Sequence, residues 1–178
     1  MTQRRDRIIA LVLAILFFAT SVGVSLAVVW QLVWGDDNAT VQPIDLNAPL
    51  KGTQLSNFTP IEKAQNLEIF DQQVGTGKEV KAGDTIEVDY TGAVAATGII
   101  FESSLDAKQT ATLKLVDGPG GVIKGWVEGI VGAKEGGSRR LVIPADKAYG
   151  ANPPAGIPAN ADLVFDVTVH GVISNNQE

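Results

Sequence analysis

Thr85-Ile86-Glu87-Val88-Asp89-Tyr90-Thr91-Gly92 alternates: Ile86, Val88 and Tyr90 share one side, and Thr85, Glu87 and Asp89 share the other. Side chains of a strand point to opposite faces in turn, so this pattern reads as a half-buried antiparallel strand. Upstream, Lys81-Ala82-Gly83-Asp84 has turn composition. Before it, Leu67, Ile69 and Phe70 begin a strand-like run that ends near Gly75 and Gly77. Downstream, Gly98-Ile99-Ile100-Phe101-Glu102 enters a second strand or its edge, and Thr112-Leu113-Lys114-Leu115 alternates again. The period then changes. Val122, Ile123, Trp126, Val127 and Ile130 are spaced for one face of a short helix, with Lys124 and Glu128 on the other side. Gly129, Gly132, Gly136 and Gly137 come next as breakers of regular structure. Ser138-Arg139-Arg140-Leu141-Val142-Ile143-Pro144 reads as a strand stopped at proline. Residues 145–161 form a long loop rich in Pro, Gly and Ala, and Leu163, Phe165, Val167 and Val169 share one side of a last strand. The class is α+β: a mostly antiparallel sheet of about five strands with one short helix against it.

Outside this domain, assigned to residues 66–173, the N-terminal part has a different texture. From Ile8 to Val33 the chain is almost wholly apolar and uncharged. About 20 such residues cross a bilayer as a helix. Trp30 and Trp34 stand at the far end, where indole rings straddle hydrocarbon and headgroups, and Arg4, Arg5 and Arg7, offset by Asp6, stand at the near end. The reading is a transmembrane anchor over 8–34, a cytoplasmic tail over 1–7 and an extracytoplasmic domain, in a bacterial cell envelope. The rival is a cleaved signal peptide, whose apolar core runs about 7–15 residues to a small-x-small site. Here the run is longer and ends Val28-Val29-Trp30-Gln31-Leu32-Val33-Trp34. Residues 35–65, with Pro43, Pro49 and Pro60 and no sustained period, read as a linker that lifts the domain off the headgroups. Residues 174–178 are a short tail.

Charge and composition remove several functions. The 14 basic and 20 acidic residues divide as three and one before the apolar run, 11 and 19 after it. An acidic domain is a poor partner for phosphate backbones, so nucleic-acid binding is not expected. There is no cysteine, which excludes disulfides and thiolate chemistry, and His170 is the single histidine. Gly118, Gly120 and Gly121 lack the Gly-Lys-Ser/Thr of a phosphate loop. No metal or cofactor is expected.

Five segments in order carry a resemblance: Val88-Asp89-Tyr90-Thr91-Gly92, Phe101-Glu102-Ser103-Ser104, Val122-Ile123-Lys124-Gly125-Trp126, Ala148-Tyr149-Gly150 and Leu163-Val164-Phe165-Asp166-Val167. Together they resemble the FK506-binding-protein family of peptidyl-prolyl cis/trans isomerases. The resemblance implies a bent five-stranded antiparallel sheet wrapped around the short helix, with a proline pocket between them. It makes Trp126 the pocket floor, and Tyr90, Phe101, Val122, Ile123 and Phe165 its walls. Tyr149 becomes the donor to the substrate carbonyl, and Ile157 an apolar residue of the loop beside the pocket. Glu102 stands where the family usually has aspartate, Ala107 where it often has arginine, and Ala111 near the place of an aromatic. The implied partners are unfolded, proline-containing polypeptides and FK506-like macrolides, and the domain is expected to be monomeric. A proline-peptide binding module of low activity and a chaperone with the same pocket are the alternatives.

Overall fold

The computed structural model describes residues 48–174. The expected tail over 1–7, the span over 8–34, the first part of the linker and residues 175–178 lie outside the described residues. Among the described residues no helix is long and apolar enough to cross a membrane. The chain divides into two compact units, and the described residues belong to the second, Asn47–Glu178.

Among the described residues six strands form one sheet: β1 (Glu68–Gln73), β2 (Thr85–Val94), β3 (Ile100–Ser103), β4 (Ala111–Lys114), β5 (Ser138–Ile143) and β6 (Leu163–Ile173). Their order is β1-β5-β6-β2-β3, with β4 also on β2, and every pairing is antiparallel. The expected count of five is corrected by this arrangement. β4 pairs with the first half of β2 (Thr85–Val88) and β3 with its second half (Thr91–Ala93), so the two share one edge and the sheet is five strands wide. Between them a single turn of helix, α1 (Ser104–Ala107), carries the chain round the corner. Ser103 caps it by accepting from the Leu105 amide, and Lys108 closes it in the left-handed conformation at φ 51°. The sequence pattern over four residues is too short to reveal such a turn.

The expected helix is α2 (Lys124–Ile130). Val122 and Ile123 precede it, and Gly129, read from sequence as a breaker, lies inside it. The reason is packing. A Cβ at Gly125 would sit 2.4 Å from Ile143 Cγ2, and one at Gly129 2.8 Å from Leu141 Cδ2. The two glycines let the helix backbone settle directly on β5, and the gain in packing exceeds the roughly 1 kcal/mol a glycine costs in a helix. Arg139 fixes the helix end from below: its Nη1 donates to Gly129 O at 2.8 Å and Val131 O at 3.3 Å, and its Nε to Asp71 Oδ1 at 2.6 Å. Carbonyls that end a helix have no partner within it, and here a buried guanidinium supplies one.

Helix α2 covers the concave face. Ile86, Val88, Leu115, Ile130, Leu141, Ile143, Leu163, Val167 and Val169 are buried there with Trp126 and Phe165. The opposite face is also covered at one end. Leu55 and Ala64 are buried against Ala93, Ile100, Val142 and Val164, with Leu50, Phe58 and Ile61 packed on them. The expected linker therefore does not run free to residue 65; its described part, from Ala48, belongs to the compact unit. Backbone bonds hold it to the sheet: Ile100 N to Thr53 O (2.9 Å), Gly52 N to Ile100 O (2.8 Å) and Leu55 N to Gly98 O (2.8 Å). Side chains hold its ends. Asp106 accepts from the Leu50 and Lys51 amides, and Asp162 accepts from Lys63 Nζ and the Ala64 amide. Residues 48–64 are a strap across the back of the sheet.

Candidate active site

Between α2 and the concave face lies an open cavity of about 480 Å³. Its base is aromatic. Trp126, 3% exposed, meets Phe165 edge-on at 5.4 Å between centroids and Tyr90 edge-on at 5.6 Å. Edge-to-face pairs use the positive rim of one ring against the negative face of the next, which fixes ring orientation as well as burying area. Trp126 comes from the first turn of α2, Tyr90 from the middle of β2 and Phe165 from the start of β6. Val122 and Ile123, at the entry to α2, line the cavity beside them.

Phe101 stands one ring behind. It packs edge-on to Phe165 at 5.8 Å and is not among the residues that line the cavity. What lets the two rings meet is Gly92, whose register partner on β6 is Phe165. A Cβ on Gly92 would lie 2.6 Å from Phe165 Cε1 and 2.7 Å from Phe101 Cζ. Ile157 is half-buried against the main core and likewise does not line the cavity. Tyr149 and Glu102 do, so seven of the nine residues singled out from sequence converge on one space.

The structure adds residues that sequence reasoning missed: Leu113 on β4, Ala148 beside Tyr149, and the charged side chains of Asp117, Lys124 and Asp146. Helical spacing puts Lys124 on the outward side of the helix, and it does pair with Glu128 at 3.8 Å. Leu113 belongs to the alternating run 112–115, and its inward side was legible; that this side faces a cavity was not. Ala107 is exposed, and Ala111 is half-buried against the core.

Two phenols and one carboxylate set the electrostatics. The Tyr90 hydroxyl is pushed up to about 12, by burial first, then by the charge of Glu102 and its hydrogen bond to the phenol, with a smaller effect of Tyr149. Tyr149 is also raised, by burial and then by Glu102. Both hydroxyls therefore stay protonated throughout the neutral range, and Tyr149, 37% exposed at the rim, stays a donor.

A second polar group has the right residue types for nucleophilic catalysis and the wrong order. His170 Nε2 is 2.8 Å from Asp89 Oδ2, and Ser104 Oγ donates to Asp89 Oδ1 at 3.2 Å. The carboxylate stands between the imidazole and the hydroxyl, whereas an activated serine needs the imidazole on its own oxygen. Ser104 Oγ instead accepts from the Tyr90 amide at 3.0 Å and so holds the strand that carries Tyr90.

Residues 76–170 match the family model described as FKBP-type peptidyl-prolyl cis-trans isomerase. The chain belongs to that family. An FK506-binding protein of Neisseria meningitidis serogroup B is 50% identical over 102 residues, which are 57% of this chain and 91% of that one. The FK506-binding protein 4 of Chaetomium thermophilum is 41% identical over 107 residues, but this chain spans only 21% of its length. Among solved structures, the crystal structure of FkpA from Escherichia coli superposes with a TM-score of 0.55 at 37% identity, over 60% of this chain and 48% of that one. A peptidyl-prolyl cis-trans isomerase from Pseudomonas syringae gives 0.54 at 31% identity, over 64% and 80%. The matched residues contain the whole aromatic cavity of the FKBP-type domain, and the strap of residues 48–64 lies before the first of them.

Proposed function

We propose that this FKBP-type domain accelerates rotation about X-Pro bonds of extended polypeptides, with Trp126 as the floor under the proline ring and Tyr149 as donor to a substrate carbonyl. The observation that carries the proposal is the edge-to-face cluster of Trp126, Tyr90 and Phe165 at the base of an open cavity with a protonated hydroxyl at its rim. The barrier to rotation is amide resonance, about 18–20 kcal/mol. In the twisted transition state that conjugation is lost and the amide is less polar than when planar. An apolar cavity therefore favours the twisted form over the planar one relative to water, which is differential binding of the transition state. Every tenfold in rate requires about 1.4 kcal/mol of that difference. No bond is made or broken, so the residues need only bind, desolvate and orient.

In this reading the partners are unfolded or partly folded chains containing proline, and FK506-like macrolides compete for the same cavity. The domain works as a monomer on the extracytoplasmic side of a bacterial membrane, held there by residues 8–34. The support for the location is the sequence alone: the uncharged run from Ile8 to Val33 with arginines before it.

The test is cis-to-trans relaxation of short X-Pro peptides with the full chain in detergent micelles. Acceleration is expected, lost in Phe165→Ala and reduced by an FK506-type macrolide. A folded protein that accelerates none of several X-Pro peptides but still binds them would make the cavity a proline-binding module instead.

A further inference from the structure

We propose that Asp162 is a positioning residue for Tyr149, and that through it the strap of residues 48–64 sets how firmly the loop carrying Tyr149 is held. The proposal rests on the isomerase reading of the cavity only for its effect on rate; the tie itself is geometric.

Asp162 has its side chain 4% exposed and makes three bonds. Oδ1 accepts from Lys63 Nζ at 2.8 Å and from the Ala145 amide at 2.9 Å, and Oδ2 accepts from the Ala64 amide at 2.7 Å. Burial alone would raise this carboxyl; the bonds from Lys63 and the Ala64 and Ala145 amides outweigh it and hold the group below its ordinary value. A carboxylate this buried stays charged only while such donors surround it.

Ala145 is the node that passes the tie on. It opens the 3-10 turn Ala145–Lys147, and its carbonyl accepts from the amides of Ala148 (3.1 Å) and Gly150 (3.0 Å). These are the two neighbours of Tyr149 in the chain. Gly150 O in turn accepts from the Asn160 amide at 2.7 Å, which closes the loop two residues before Asp162. Asp146 and Ala148, on the same short segment, line the cavity with Tyr149. The backbone on both sides of Tyr149 thus hangs from one carbonyl. The amide of that same residue is fixed by Asp162, whose other donors come from the end of the strap. Donor placement to within a fraction of an ångström governs how well a hydroxyl stabilises a transition state, so slack at Ala145 should appear as lost rate.

The experiment is a double-mutant cycle on the full chain in detergent, combining Asp162→Asn with Tyr149→Phe, with hydrogen exchange at the Ala148 and Gly150 amides as an independent reading. At a temperature well below unfolding, Asp162→Asn should lower kcat/KM about fivefold in the parent, mainly through kcat, and by less than about twofold in the Tyr149→Phe background. Exchange at residues 148 and 150 should quicken about tenfold or more while amides in β2 and β6 are unchanged. Equal rate losses in both backgrounds would overturn the positioning role, since a general loss of order does not depend on the Tyr149 hydroxyl. Lys63→Met removes one donor and leaves both amides in place; it should move exchange at 148 and 150 in the same direction by a smaller factor. No change there in folded Lys63→Met would overturn the link to the strap, and this arm stands if Asp162→Asn fails to fold. If the parent accelerates no peptide, the isomerase reading fails, while the exchange arm still decides the tie.

Discussion

Arg139 and Arg140 are neighbours on one strand and serve opposite faces of the sheet. Arg139 points to the concave face, where it caps α2 and pairs with Asp71. Arg140 points to the back, where it grips Asp166 through Nε and Nη2 at 2.7 and 2.8 Å and donates to the Ser56 and Asn57 carbonyls of the strap. It also lies 5.6 Å from the centroid of Phe58. Both faces are covered, but differently. On the concave side a helix sits over large rings that it does not fully enclose, and a cavity remains. On the back a strap without regular structure fills the surface with Leu55, Phe58, Ile61 and Ala64. The same strand thus supports an open site on one side and a seal on the other. What separates them is whether the covering element is a stiff helix bridging over rings or an extended chain that follows the surface.

That contrast predicts that damage on the concave face costs activity as well as stability, and damage to the apolar fill of the back, away from the tie at Asp162, costs stability alone. The largest effect is expected at Trp126→Ala, which removes a buried ring from both core and cavity: about 3–5 kcal/mol in denaturant unfolding, together with loss of peptide acceleration. Leu55→Ala should cost about 2–4 kcal/mol, with kcat/KM of the folded protein within twofold of the parent. A loss of activity parallel to that of Trp126→Ala would break the distinction between faces.

Acid should weaken the tie at Asp162. Asp162 is held below the ordinary carboxyl value, so its contribution is complete above the unfolded-state value of about 3.9 and is lost as pH falls through the lower folded value. The stability of the parent should therefore drop more steeply below pH 4 than that of Asp162→Asn, and an equal slope would refute the assignment. The concave face should respond to base instead. Tyr90 at about 12 lies above its unfolded value of about 10, so its contribution is intact below pH 10 and is lost as pH rises through 12. Between pH 6 and 9 neither tyrosine should ionise, and kcat/KM should stay flat. The smallest effect on stability, within about 0.5 kcal/mol, is expected for Tyr149→Phe at the rim, and it should still cost several-fold in rate. A rate equal to the parent would remove Tyr149 from the chemistry.

The regular elements were legible because they obey short periods. Ile86, Val88 and Tyr90 mark a face of β2, and Trp126 with Ile130 marks the buried side of α2, whatever lies opposite them. The strap was not legible for the converse reason. Leu50, Leu55, Phe58 and Ile61 keep neither a period of two nor one of 3.6, because the segment has no repeating partner and takes its spacing from the surface beneath. The α1 turn is too short to show a period, and Gly129 read as a breaker because its packing against Leu141 is a long-range fact.

By itself the sequence determined the α+β class and the order of the main elements, since alternation and helical spacing are local properties of the chain, and five ordered segments carried the resemblance that named Tyr90, Trp126, Tyr149 and Phe165 for the cavity. It left open that two short strands share one edge, that Phe101 stands behind Phe165, and that residues 48–64 join the domain. Nor could it show that Asp162, one carboxyl in a loop, gathers donors from residues 63, 64 and 145. Those are contacts between segments far apart in the chain. Tertiary packing alone decides which carboxylate is buried, which donors reach it and which ring faces open space.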